Sequence, residues 1–163
     1  MATLHRLLES NILDEIVVPL EDGEFPSRWF YCFPEFRRWM NEELPKLKTG
    51  RLKSTESPRE QFDNILYRWT SGKTIKYDKV FKDLMPRRDE VWEMKTVDLR
   101  LFGWMCQPRK YIAVFGDYAD LYKSPSMKAS YGTALSRVLR ARARLNLDEP
   151  KYCSGVFDDL VCV

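Results

Sequence analysis

The chain is predicted to fold as an α+β domain, with N-terminal helices packed on a small antiparallel β-meander and a basic amphipathic helix after it. Three observations predict this arrangement. Apolar side chains recur at helical spacing before residue 72, alternate with a period of two from residue 90, and return to helical spacing within residues 124–147. Short connections between the alternating runs favour antiparallel pairing, and helices on one face of such a sheet give an α+β fold.

Two helices are expected before the meander. Pro34 can occupy the first position of a helix over residues 34–45, because its missing N–H costs nothing there. The apolar residues of that segment fall at helical spacing: Phe36, Trp39, Met40 and Leu44. The second helix, over residues 57–71, has a stronger signal. The run Ser57-Pro58-Arg59-Glu60 is a capping box with proline at the first helical position, and Gly72 marks the end. Its apolar stripe comprises Phe62, Ile65, Leu66 and Trp69.

The strands are expected where apolar residues alternate or aromatic residues gather, in segments 27–33, 91–97, 98–106 and 110–115. In the second of these, Glu93 and Lys95 share one face. The turn Gln107-Pro108-Arg109 separates the last two strands. Between the second helix and the meander, Val80, Phe81 and Leu84 predict a short helical turn over residues 78–84.

A basic helix is expected after the meander. Residues 124–147 contain no acidic side chain. One face of the predicted helix is apolar, with Ala134, Val138, Ala141 and Leu145. Another face is basic, with Arg137, Arg140 and Arg144.

Composition indicates a globular protein that needs no metal and no disulfide. The 163 residues are 44% hydrophobic and include five tryptophans, enough for a core of its own. The four cysteines form no C-x-x-C pair and His5 is the one histidine, so no metal site and no cofactor is expected. Acidic residues near the start and the lack of a long apolar run predict a cytoplasmic protein without a signal peptide or membrane span.

Charge divides the chain into three parts. The net charge of the chain is +3. Because residues 1–26 carry a net charge of −5 and residues 148–163 carry −3, residues 27–147 carry a net charge of +11. We therefore predict an acidic N-terminal extension over 1–26, a main domain over 27–147, and an acidic and apolar tail over 148–163. The basic middle part is equally consistent with a polyanion-binding surface and with an ordinary solvated surface.

The order of the predicted elements and the amino-acid sequence of residues 81–123 resemble those of the RelE/HigB toxin superfamily. Members tend to have a leucine before a short loop, a strand that begins Trp-Glu, an arginine between apolar residues in the next strand, a hydrophobic strand, and an aromatic residue with lysine. The corresponding residues are Leu84, Trp92-Glu93, Arg100, the segment 111–115 and Tyr122-Lys123. The chain departs from many members in having Lys123 alone where they carry a lysine pair, and in being longer at both ends.

The resemblance implies a phage-type HigB-like toxin: a ribosome-associated endonuclease that cleaves mRNA without a metal and is neutralised by an antitoxin protein. In such cleavage the 2′-hydroxyl attacks the adjacent phosphate, so one group must accept a proton, another must stabilise the phosphorane, and a third must protonate the leaving oxygen. Arg100 is expected to clamp the phosphate, because a guanidinium offers bidentate donors. Lys95 would add charge or act as the base, and Glu93 would act as the base or pair with Lys95. Lys123 and Tyr122 would contact the phosphate, donate a proton or stack on a base.

Several alternatives stay open from the sequence. Arg100 can be a salt-bridging sheet residue, Glu93 and Lys95 an exposed pair, and Tyr122 a packing residue. Further nucleic-acid contacts are expected from Arg109, Lys110, Arg137, Arg140 and Arg144. The partners predicted are the ribosome with its mRNA and an antitoxin, with no membrane and no small molecule. The alternative functions are a non-catalytic binding protein of the same fold, which inhibits a bacterial replication or host-defence factor, and a plain nucleic-acid-binding protein.

Overall fold

The computed structural model describes residues 1–123 and 128–163, and for residues 128–130 it describes the backbone path alone. The helices are α1 Leu4–Glu9, α2 Pro34–Arg38, α3 Pro58–Thr70, α4 Asp120–Lys123, α5 Lys128–Arg144 and α6 Phe157–Val161. The strands are β1 Asp14–Glu15, β2 Trp29–Cys32, β3 Phe81–Asp83, β4 Trp92–Lys95, β5 Leu99–Gln107 and β6 Lys110–Tyr118. Helix α2 continues as a π-helical turn, Trp39–Glu43, and a 3-10 turn, Leu44–Lys46, so the predicted helix over 34–45 is helical throughout.

The strands of the described residues form a single mixed sheet in the order β1-β2-β6-β5-β4-β3. The predicted antiparallel meander is confirmed as β4, β5 and β6. Strand β2 pairs with β6 in parallel, and β1 and β3 add short antiparallel strands at the two edges. The fold class is therefore α+β as predicted, but the sheet is larger than a three-stranded meander and is not purely antiparallel.

Both faces of the sheet are covered, whereas the sequence predicted helices on one face. Helices α2, α3 and α6 cover one face, where Phe36 of α2 packs against Phe62 of α3 and Trp69 of α3 packs against Tyr111 of the sheet. Helices α1 and α5 cover the other face, where Leu7 and Val138 belong to the same apolar cluster as Phe102, Trp104 and Ile112. Strands β5 and β6 lie between these layers, so consecutive residues in them are buried instead of alternating between core and solvent.

The predicted helical turn over residues 78–84 is wrong. Asp78 has a φ of +66°, and its N–H donates to the carbonyl oxygen of Phe81, so the chain makes a turn there. Phe81 then begins β3 and stacks on Trp92 of the neighbouring strand, with ring centroids 5.0 Å apart and 9° between the ring planes. Pairing with β4 and this aromatic contact outweigh the weak helical periodicity of the segment.

The capping signals of α3 operate as predicted. The Ser57 hydroxyl accepts a hydrogen bond from the Glu60 N–H at 3.2 Å, and the Glu60 carboxylate accepts one from the Ser57 N–H at 2.7 Å. Gly72 follows the helix with a φ of +79°, in the left-handed region that ends helices. The apolar stripe Phe62, Ile65, Leu66 and Trp69 is buried.

The two acidic terminal segments are packed into this fold. Leu7 and Leu13 are buried in the layer beneath α5, and β1 pairs with β2. At the other end, Arg28 ties the C-terminal helix α6 to α3. Its side chain is buried, with Nε donating to the carbonyl oxygen of Val161 at 2.7 Å and Nη1 to that of Trp69 at 3.1 Å.

No helix within the described ranges is both long enough and apolar enough to cross a membrane.

Gly103 is required where β5 and β6 shift register, and this gives a first prediction. A Cβ at Gly103 would lie 2.0 Å from the backbone carbonyl oxygen of Ile112, whereas a Cβ at Gly132 of α5 would meet nothing within 4 Å. We expect Gly103→Ala to lower the free energy of unfolding by about 3 kcal/mol or more, since the two strands must separate. The matched variant Gly132→Ala should raise it by about 0.5–1 kcal/mol, since alanine favours the helix. Urea unfolding followed by circular dichroism measures both, and a Gly103→Ala protein as stable as the wild type would contradict the register.

Candidate functional site

Polar residues gather at one end of the sheet, on the face that α5 covers. The strand register places Lys95 of β4 beside Arg100 of β5, and Arg100 beside Asp117 of β6. Glu93 lies two residues before Lys95 and therefore on the same face. Three of the five predicted catalytic residues, Glu93, Lys95 and Arg100, are thus brought together by strand pairing.

Arg100 is largely engaged within the protein. Its Nη1 donates to the carbonyl oxygens of Thr96 at 2.7 Å and Leu99 at 2.8 Å, which holds the turn between β4 and β5. Its Nε lies 4.0 Å from Oε2 of Glu93, and the side chain keeps 12% of its surface exposed. Both the expected role at the site and a structural role in the sheet are therefore consistent with its position.

Glu93 is a buried carboxyl group, with a side chain that is 3% exposed. Its Oε2 accepts no hydrogen bond from the part of the chain that the structure describes. Burial raises the pKa of Glu93, and the nearby charges of Arg100, Lys95 and Lys82 offset part of that rise. Tyr131, on α5, lines a cavity together with Glu93, and its hydroxyl group also offsets part of the rise in the pKa of Glu93. Glu93 is therefore not the exposed partner of Lys95 that the sequence left open.

Lys95 and Lys123 are more accessible than Glu93. The Lys95 ammonium lies 3.6 Å from Oδ1 of Asp78. The Lys123 ammonium donates to the carbonyl oxygen of Val97 at 2.8 Å and lies 3.7 Å from Oδ1 of Asp120. Lys123 therefore contacts the turn between β4 and β5, and Lys95 ends the strand that leads into that turn.

Tyr122 is a packing residue in this structure. Its hydroxyl donates to Oδ2 of Asp117 at 3.2 Å, and its ring lies 5.0 Å from the ring of Tyr131 and 5.1 Å from that of Phe102. Burial is the largest cause that raises the pKa of Tyr122, and the Asp117 carboxylate raises it further. A phenol held in this way does not release its proton to solvent near neutral pH.

A small cationic cleft of about 410 Å³ opens beside the β4–β5 turn. Its described lining includes four basic side chains and no acidic one; the basic residues are Lys79, Lys95, Arg100 and Lys123. We call it the cationic cleft. Asp78 lies near Lys95 and Asp120 lies near Lys123, so part of the positive charge of the cleft is compensated. The concentration of donors suits an anion such as a phosphate group.

A second cavity of about 440 Å³ adjoins the cationic cleft, because Lys95 lines both. Glu93 and Tyr131 line this second cavity together with Lys82. A molecule bound in the cationic cleft would therefore have Lys95 between it and Glu93, the one carboxylate among the five predicted catalytic residues.

The sequence did not predict Lys79 or Tyr131 as site residues. Lys79 belongs to a run with lysine at every third position from Lys73 to Lys82, and this regular spacing in the sequence could have indicated a basic surface.

The predicted nucleic-acid contacts do not join this site. Arg109 lies in the turn between β5 and β6 and Lys110 begins β6. Gln107, the last residue of β5, lies seven residues from Arg100, roughly 23 Å. The Lys110 ammonium lies over the ring of Trp29, and the Arg137 guanidinium lies 4.1 Å from the ring centroid of Phe115. Arg140 and Arg144 are exposed on α5.

Residues 1–123 and 128–163 contain no group of three or more histidine, cysteine, aspartate or glutamate side chains arranged to hold a metal ion. Comparisons of the chain with protein-family models, with curated proteins and with solved structures each find no match.

The pKa of Glu93 gives a prediction with a defined sign. Because burial raises its pKa, the folded state favours the neutral carboxyl, and wild-type stability falls as the pH rises through the ordinary value of 4.5 towards the folded value. Glu93→Gln removes this loss. We expect the variant to gain unfolding free energy relative to the wild type as the pH is raised from about 4 to about 8, measured by urea unfolding at each pH.

Glu60 is the matched control, because its hydrogen bonds to the Ser57 N–H and hydroxyl lower its pKa. Glu60→Gln should therefore lose stability relative to the wild type over the same pH range, the opposite sign. A Glu93→Gln protein that behaves like Glu60→Gln would show that Arg100 and Lys95 compensate the buried charge more than fully.

Proposed function

We propose that this protein is a toxin-like translation inhibitor, a ribosome-associated mRNA endonuclease of the RelE/HigB kind that an antitoxin partner neutralises. The observation that carries the proposal is the cationic cleft, in which Lys95, Arg100 and Lys123 converge although they come from β4, β5 and α4. These three residues are predicted from the resemblance, and a phosphate-binding cleft is what their predicted roles require.

The architecture supports the same proposal. Helices α2 and α3 precede the β4-β5-β6 meander and pack on one face of it, in the order on which the resemblance depends. The polar site lies on the opposite face. We therefore also propose that residues 27–147 form a RelE-like domain and that the protein acts on ribosomes in the cytoplasm.

The chemistry would be divided among side chains of the site. The 2′-oxygen forms a bond to phosphorus, the bond from phosphorus to the 5′-oxygen breaks, and the products are a cyclic phosphate and a 5′-hydroxyl. Arg100 and Lys123 would stabilise the added negative charge on the phosphorane. With the phosphate in the cationic cleft and the ribose in the second cavity, Glu93 would accept the 2′ proton, for which its raised pKa makes the carboxylate a stronger base. Lys95, which lines both cavities, would protonate the leaving oxygen.

A specific observation favours a second candidate function, a non-catalytic binding protein of the same fold. Arg100 already donates to two backbone carbonyl groups, and Glu93 is nearly inaccessible. In this alternative the buried pair is structural, and the exposed arginines of α5 bind the target or the partner protein.

Induction in bacteria separates the two functions. We expect the wild type to stop growth and to generate new, codon-phased 5′ ends in cellular mRNA. Lys95→Ala should lower cleavage by about 10²-fold or more, since removal of a proton donor or a charge stabiliser costs that much. Sequencing of 5′ ends measures the effect. Lys95 is the preferred site of substitution, because Arg100 also holds the β4–β5 turn.

Arg140→Ala is the matched control, because Arg140 is exposed on α5 outside both cavities. Growth arrest without new 5′ ends, retained in Lys95→Ala and lost in Arg140→Ala, would overturn the nuclease in favour of the binding protein.

A further inference from the structure

A third cavity, of about 600 Å³, continues the cationic cleft on its other side. The two share Lys95 at the end of β4 and Thr96 and Val97 of the turn that follows it. From there the third cavity extends beneath the C-terminal half of α3 and along the segment that follows it. Its lining includes the basic residues Arg68, Lys73 and Lys76 in addition to Lys95, and among the described lining residues Glu56 is the one acid.

The lysines of this segment are displayed by the local structure. Gly72, with its φ of +79°, ends α3 and turns the chain back along the helix. Ile75 is buried and anchors the segment in the core that α3 covers, while Lys73, Lys76 and Lys79 are exposed. The side chains of all three lysines are therefore accessible to a ligand in solution.

The charges of this surface are largely uncompensated. Neither Lys76 nor Lys79 has an ion-pair partner among the residues that the structure describes. Lys73 lies over the ring of Tyr67, with its ammonium 4.4 Å from the ring centroid, and Arg68 donates to the carbonyl oxygen of Thr74. The Tyr67 hydroxyl also donates to the Glu24 carboxylate, which partly compensates the charge of Lys73. Arg68, Lys76 and Lys79 keep the surface positive, so it attracts an extended polyanion.

We propose that the third cavity and the cationic cleft form one continuous channel that binds a single strand of RNA, with the phosphates on one side of the reacting group held by Arg68, Lys73 and Lys76. The inference rests on the proposed function for the identity of the polyanion. Both depressions are shallow and open to solvent, and a basic groove of this kind can follow the phosphate backbone of a single strand. The channel, and not the exposed α5 arginines, is the surface that positions the substrate.

The test measures binding of a fluorescently labelled single-stranded RNA with 2′-O-methyl groups, which cannot be cleaved, by anisotropy over a range of salt concentrations. The variant Lys73→Glu/Lys76→Glu changes the third cavity and leaves the cationic cleft intact. We expect it to weaken binding at least tenfold. The slope of log affinity against log salt should fall by about 1.4 or more, because two phosphate contacts are lost at roughly 0.7 each. Arg140→Glu/Arg144→Glu is the control with the same charge change, and it should bind as the wild type does.

The outcomes separate this inference from the proposed function. Wild-type binding by Lys73→Glu/Lys76→Glu, or equally tight binding of duplex RNA by the wild type, would overturn the channel even if cleavage in bacteria is observed. Weakened binding by Lys73→Glu/Lys76→Glu and unchanged binding by the α5 variant would support the channel, and would do so even if Lys95→Ala shows that the protein is not a nuclease.

Discussion

The burial of the β5–β6 hairpin between two apolar layers is the constraint on which the rest of this structure depends. Strands exposed on one face tolerate polar residues at every second position, but strands covered on both faces do not. In this protein, Phe102, Trp104 and Ile112 fill the face beneath α5, and Leu101, Tyr111 and Ala113 fill the other. Polar side chains in these strands are therefore confined to their ends, where Arg100 pairs with Asp117 at one end and Gln107 pairs with Lys110 at the other.

The polar end of the sheet carries an energetic cost that its contacts reduce. A buried carboxylate is unfavourable unless charge and hydrogen bonds compensate it, and Oε2 of Glu93 has Arg100 nearby at 4.0 Å without a hydrogen bond to it. The result is a carboxyl group with a raised pKa beside a cluster of cations. Such a combination is frequent at functional sites, and buried structural pairs also produce it. It is the adjacent cationic cleft, open to solvent, that favours the functional interpretation.

Positive charge has different uses in different parts of the molecule. Arg28 is buried and holds α3 and α6 together through backbone carbonyl groups, and Arg142 donates to the carbonyl oxygens of Asp89 and Glu90. Arg137 packs on an aromatic ring. By contrast, the lysines between α3 and β3 have few partners and line open cavities. A count of basic residues, which gives +11 for residues 27–147, therefore does not identify which of them are available to bind a polyanion.

The sequence by itself determined the longer elements and their apolar faces, although it did not predict β3. The capping box at Ser57, the α3 stripe, the meander and the apolar face of α5 are local patterns, and they follow from helical and strand geometry. The resemblance predicted that Glu93, Lys95 and Arg100 belong to one site. A meander brings them together because it pairs the two consecutive strands that carry them. Only the tertiary structure decided that both faces are covered, that Glu93 is buried, and that Lys73, Lys76 and Lys79 lie next to Lys95. The physical reason is that periodicity records which side of an element is apolar, whereas the partner that covers that side depends on contacts between residues distant in the chain.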